Sequence, residues 1–132
     1  MKQEDKELLL KDLCARLPYG VKVNILCGYQ HAEELAGLDI YKQTFNLKHA
    51  YNQPMFTRHG DSIIKPYLRS MESMTEEEKK EEWELWDIVT KTRNDLHYLY
   101  TDFLISHHFD YRGLIEKGLV LEAPEGMYNI KD

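Results

Sequence analysis

Apolar residues recur over residues 4–17 at helical spacing. Leu9, Leu10, Leu13, Cys14 and Leu17 fall on one side, and Glu4, Asp5 and Glu7 occupy the first turn, where the helix dipole favours carboxylates. The pattern predicts an amphipathic helix ended by Pro18 and Gly20. From Val21 to Cys27 apolar and polar positions alternate, the signature of a half-buried strand, and Gly28 closes it. Residues 28–65 carry weaker signals. Short strands fit at 38–47, 55–58 and 62–65, with His59-Gly60-Asp61 as a tight turn, while 32–36 also fits a helical turn. Lys65-Pro66-Tyr67 is expected to leave the sheet, because proline has no N–H to donate to a ladder.

Thr75-Glu76-Glu77-Glu78 reads as a capping box, in which the Thr75 hydroxyl takes an orphan backbone N–H and Glu78 reaches back to the cap residue. A helix is predicted from there, with Leu85, Trp86 and Val89 as its apolar stripe. The run Ile88, Val89, Thr90, Thr92, followed by Asn94-Asp95, weakens helix propensity, so a break near Asn94 fits. A second stripe runs over Leu96, Leu99, Tyr100, Phe103, Leu104 and His107, with Phe103 expected in the core. Both segments share one phase at about 100° per residue, so a single long helix fits as well. Gly113 and Gly118 punctuate the connector that follows, and Leu119-Val120-Leu121 suits a last short strand. The elements together predict an α+β domain: a small antiparallel sheet or partly closed barrel packed by an N-terminal helix and a C-terminal helical pair.

Composition bounds this reading. A chain of 132 residues, 42% apolar and 30% charged, can bury a core of its own and is expected to form one domain over 1–132. The longest apolar run, Leu8-Leu9-Leu10, is far below the roughly 20 residues of a membrane helix. The charged N-terminus has no secretory pattern, so a cytoplasmic setting is expected, with Cys14 and Cys27 as unpaired thiols. Charge is uneven: residues 1–70 hold ten basic and eight acidic side chains, residues 71–132 seven and fifteen. Such a surface repels duplex nucleic acid. The exception would be convergence of Lys22, Lys42, Lys48, Arg58 and Lys65 on one face of the sheet.

Candidate chemistry concentrates near the C-terminus, where the phrase from His108 to Gly118 gathers titratable, cationic and aromatic side chains. His108 with Asp110 has the residue types of a base and its orienting carboxylate, and with Arg112 beside them the three would suit a small hydrolase. The alternative for each is structural. His107 falls in the apolar stripe, where one backbone or carboxylate partner would satisfy it, and Arg112 would pair with a carboxylate or cap the preceding helix. His97, Thr101 and His108 share one helix side, but His97 and His108 lie about 16 Å apart along it, too far to share a metal. No spacing indicates a cofactor or metal site. The eight carboxylates from Glu72 to Asp87 suit a solvated helix face, or a surface that imitates nucleic-acid phosphates toward a basic partner. Among Tyr41, Phe45, Tyr51, Phe56 and Tyr67, exposed rings would mark a partner site.

Three phrases, Lys6 to Val23, Lys65 to Lys79 and His107 to Tyr128, resemble a family of small uncharacterised proteins carried by gut anaerobic bacteria and their prophages. The resemblance covers a little under half the chain and implies a bacterial or phage setting inside the cell. It carries no activity, cofactor or catalytic residue. The expected function is protein binding, as an accessory or adaptor module; a small hydrolase using His108, Asp110 and Arg112 is the alternative, and a DNA-associated regulator the next.

Overall fold

The first helix, α1 (Gln3–Arg16), packs Leu9, Leu10 and Leu13 inward, as their spacing requires. The structure, a computed structural model, describes residues 1–25, 32–91 and 96–128. Cys14 is a half-buried free thiol whose pKa burial pushes up, while Cys27 lies outside the described residues. A 3-10 turn over Leu17–Tyr19 ends at Gly20, whose φ of 71° suits a residue without Cβ. There the backbone also passes Glu34 so closely that an added Cβ would lie 3.0 Å from its Oε1.

Two small sheets follow. The first has the order β2 (Glu33–Glu34), β1 (Lys22–Ile25), β6 (Ile64–Leu68), β7 (Leu121–Glu122). β1 is antiparallel to both of its neighbours, and β7 joins β6 in parallel. The second is an antiparallel meander of β3 (Gly37–Asp39), β4 (Thr44–Asn46) and β5 (Gln53–Pro54). Residues 33–34 are therefore strand rather than helical turn. The turn expected at His59-Gly60-Asp61 lies within the loop between β5 and β6, closed by Thr57 N–H to Asp61 carbonyl (2.7 Å) and Gly60 N–H to Thr57 carbonyl (2.9 Å).

Pro66 corrects one expectation, for it is buried inside β6, opposite Val23. An antiparallel ladder turns every second residue's N–H away from its partner, and β7 engages only Tyr67 and Leu68 on the other side. Neither neighbour requires an N–H from Pro66. Its ring instead fills the inward row between Ile64 and Leu68.

The capping box forms as expected: Thr75 N–H donates to Glu78 Oε1 (2.8 Å) and Glu78 N–H to Thr75 Oγ1 (3.1 Å). α2 (Glu76–Lys91) starts there, and α3 (His97–Ser106) pairs with it. The break expected near Asn94 falls outside the described residues. The architecture is α+β, with two hydrophobic clusters. The larger joins α1 to the sheets through Leu9, Leu13, Val23, Phe45, Ile64 and Leu114; the smaller holds Met74, Phe103, Leu104 and Phe109 under the helical pair. Phe103 is 4% exposed, as its place in the stripe predicts. No helix of the described residues is long and apolar enough to cross a membrane.

Candidate functional site

His108 leaves the helix rather than sharing a side with His97. It sits in the left-handed region at φ 61°, just past the α3 C-cap His107. Its N–H bonds the Ile105 carbonyl (3.0 Å) and the Phe109 N–H bonds the Leu104 carbonyl (2.9 Å), the paired pattern of a Schellman motif. Glycine usually fills this position; histidine is one of the few side chains that tolerates it. The chain then runs beside β6, with Arg69 N–H to His108 carbonyl (2.7 Å) and Asp110 N–H to Arg69 carbonyl (2.8 Å).

The His108 imidazole is buried. Its Nε2 faces the Tyr19 carbonyl at 2.9 Å and so carries the proton, which leaves Nδ1 unprotonated and without a hydrogen-bond partner among the described residues. One ring face stacks on Tyr128 at 4.0 Å between centroids. Burial, reinforced by Arg16, His107 and Arg69, holds the ring's pKa down to about 4 against the Tyr19 hydrogen bond. The imidazole is neutral at physiological pH. Tyr128 itself accepts from Lys22 N–H (2.8 Å) and donates to the Tyr67 carbonyl (2.6 Å), bridging β1 and β6 where their ladder ends.

Asp110 does not orient His108. Its two carboxylate oxygens accept the N–H groups of Leu114 (2.8 Å) and Ile115 (2.9 Å), capping the turn that follows. Arg112 turns to α1, with Nε 3.3 Å from Asp12 Oδ1. Asp12 also accepts from Arg16 Nε (2.9 Å), and Arg16 donates through Nη2 to the Phe109 carbonyl (2.6 Å). Both Asp12 and Arg16 are wholly buried, and burial pushes the Asp12 carboxyl up against the pull of Arg16 and Arg112. The guanidiniums of Arg16 and Arg112 and the carboxylate of Asp12 thus form an ionic knot that joins α1 to the 108–115 loop. Its pairings are structural.

The three residues expected in a hydrolase site therefore serve three separate tasks. A hollow of about 360 Å³ on this side holds Asp110 alone of them, beside Glu72, Glu116 and Glu122. Four carboxylates line this hollow, and neither His108 nor Arg112 reaches it. His107, by contrast, behaves as its place in the stripe predicts: Nδ1 reaches the Phe103 carbonyl at 2.9 Å. No three His, Cys, Asp or Glu side chains among the described residues converge as metal ligands.

Nor do the five cations of the sheet converge. Lys22 donates to the Met127 carbonyl (3.1 Å), and Lys48 lines a hollow beside Glu33 and Glu34. Of the five, Lys42 and Arg58 line one cleft together. The aromatic residues divide similarly: Phe45 is core, Phe56 and Tyr67 are partly buried, and Tyr41 and Tyr51 are exposed on separate turns.

Three exposed large apolar side chains, Trp83, Trp86 and Ile88, lie on α2. This helix buries only Glu78 and Val89. Arg69 grips Glu78 with two 2.7 Å hydrogen bonds; burial would raise that carboxyl, but these bonds and the Thr75 N–H outweigh it and hold it down to about 2. Trp86, expected in the buried stripe, is 51% exposed and meets Tyr100 edge-on at 5.3 Å. Tyr100 donates to Glu82 (2.8 Å), and burial together with this carboxylate pushes its phenol up to about 12. Trp83, one turn earlier, is 65% exposed. The signal for this face was present in the sequence as two tryptophans at i, i+3 spacing among carboxylates, with Leu85 and Val89 offset from them around the helix.

Compared with family models, curated proteins and solved structures, the chain matches none.

Proposed function

We propose that the protein is a binding module, an accessory or adaptor of the bacterial or prophage setting that its phrases imply, and that it engages a cationic protein segment through the Trp83–Trp86 face of α2. The observation that carries this reading is the exposure of both tryptophans of the chain on one helix. An indole can bury about 150–250 Å² of surface on contact, and tryptophan leads the residues that dominate interface energies. α2 bears seven carboxylates against Lys79, Lys80 and Lys91, which repels a second copy of itself and draws a basic partner. Arginine suits the face best, since a guanidinium stacks on an indole while its charge meets the surrounding acids. The expected site of action is the cytoplasm.

Trp83 and Trp86 are the only tryptophans, so fluorescence excited at the red edge of the spectrum, where the nine tyrosines do not absorb, reports this face. Titration with a nona-arginine peptide at low salt should shift or quench the emission saturably, and a nona-lysine peptide should do so more weakly. Unchanged emission with the arginine peptide would defeat the reading.

A further inference from the structure

A cleft of about 350 Å³ on the opposite chemistry opens where α1 meets the turns at residues 40–43 and 57–60. Its wall carries Lys6 from α1, Lys42 from the turn between β3 and β4, and Arg58 and His59 from the loop before β6. Among the described residues no acidic side chain lines it. In a chain of net charge −6, such a concentration of uncompensated cations is unexpected from composition alone. The neighbouring carboxylates are turned to other partners. Asp39 Oδ1 accepts the Lys42 backbone N–H at 3.0 Å, and Asp61 Oδ1 lies 3.7 Å from the N-terminal ammonium. Lys6, Lys42 and Arg58 make no ion pair among the described residues.

The cleft also has a shaped floor. Lys6 holds its ammonium over the Phe56 ring, 5.1 Å from the centroid, which orients this cation. Gly60, at φ 89°, leaves the space beneath it open: a Cβ there would lie 3.2 Å from Lys6 Nζ. Gln43 stands on the rim at φ 54°, a conformation that glutamine seldom adopts, fixed by the Met55 N–H on its carbonyl (2.9 Å).

We infer that this cleft binds the phosphate or pyrophosphate group of a small molecule. Three cations from separate elements can surround a multiply charged anion, Arg58 supplying a planar fork and the lysines point charges. The volume suits one small phosphorylated ligand, and the partly buried Phe56 ring offers an apolar contact for whatever the phosphate carries. The proposal does not depend on the α2 face.

The test is calorimetric titration of the full chain with inorganic pyrophosphate and with ADP, repeated on Lys42→Gln, Arg58→Gln and their double variant. Both substitutions lie on exposed turns, and equal melting temperatures would show that folding is intact. Saturable binding of pyrophosphate, weakened roughly fivefold or more by each variant and abolished in the pair, is the expected result. Lys48→Gln, away from the cleft, should bind as the parent does. Tighter binding of ADP would mark the ligand as a nucleotide seated against Phe56, and equal binding would mark recognition of the phosphates alone. The inference is overturned if neither compound binds at millimolar concentration, if the double variant binds unchanged, or if a single-stranded oligonucleotide binds more tightly than either compound and loses that affinity in the double variant.

Discussion

His108 Nε2 donates to the carbonyl of Tyr19, 2.9 Å away and 89 residues earlier, and so ties the C-terminus of α3 to the turn that ends α1. The neutral ring makes this contact while buried, and its pKa stands at about 4 against an ordinary 6.5. The unfolded chain therefore takes up the proton first as pH falls. We predict that stability declines from about pH 6.5 to about pH 4, by on the order of 3 kcal/mol, and that this component then levels off. His108→Asn keeps a residue that tolerates the left-handed backbone but removes the titration. Denaturant melts of the variant across this window should show a flatter slope than the parent; an unchanged slope would contradict the assignment.

Glu78 acts in a different window. Its carboxyl falls from an ordinary 4.5 to about 2, so the pairing with Arg69 is fully present above pH 4.5 and is lost as pH drops through 2. The contribution is on the order of 2 kcal/mol. Glu78→Gln should lower the melting temperature at pH 7 and leave little difference from the parent near pH 2. Glutamine can still accept the Thr75 N–H through Oε1, so the capping box should persist and the loss should trace to the Arg69 pairing.

Asp12 and Arg16 make a harsher case, since both are wholly buried. Asp12→Ala would strand two guanidiniums, and the expected loss is on the order of 3 to 5 kcal/mol, enough to unfold a marginal domain. A matched Asp12→Leu, Arg16→Met pair should recover much of that loss, because a buried ion pair is often replaceable by apolar packing. Chemical denaturation of both variants checks the order.

Phe103→Ala should cost on the order of 3 to 5 kcal/mol, since its ring is shared by His107 at 4.5 Å and Phe109 at 6.1 Å between centroids. An unchanged melting temperature would remove Phe103 from the core.

Features set by neighbours in sequence were legible before the structure. The α1 stripe, the Thr75–Glu78 box and the burial of Phe103 depend on spacing within a few residues, which periodicity and capping chemistry report directly. Pro66 was misread because the rule against proline in a sheet depends on which way its nitrogen faces, a property of register rather than of type. His108 was misread because a Schellman motif normally announces itself with glycine. The pairing of Asp12 with Arg112 joins α1 to the far end of the chain, and no local pattern encodes such a contact. Trp86 was placed inward by hydrophobicity alone, although the carboxylates around it indicated a solvated face.

The double variant Trp83→Ala, Trp86→Ala tests the central claim most directly, because it removes the aromatic face and leaves every charge of α2 in place. Its melting temperature and its binding of a labelled nona-arginine peptide, followed by anisotropy, should be measured side by side. We predict a melting temperature within about 4 °C of the parent, as expected for half-exposed side chains, together with loss of peptide binding. Binding that persists in the double variant would reduce the interaction to the acidity of α2 and contradict the assigned face.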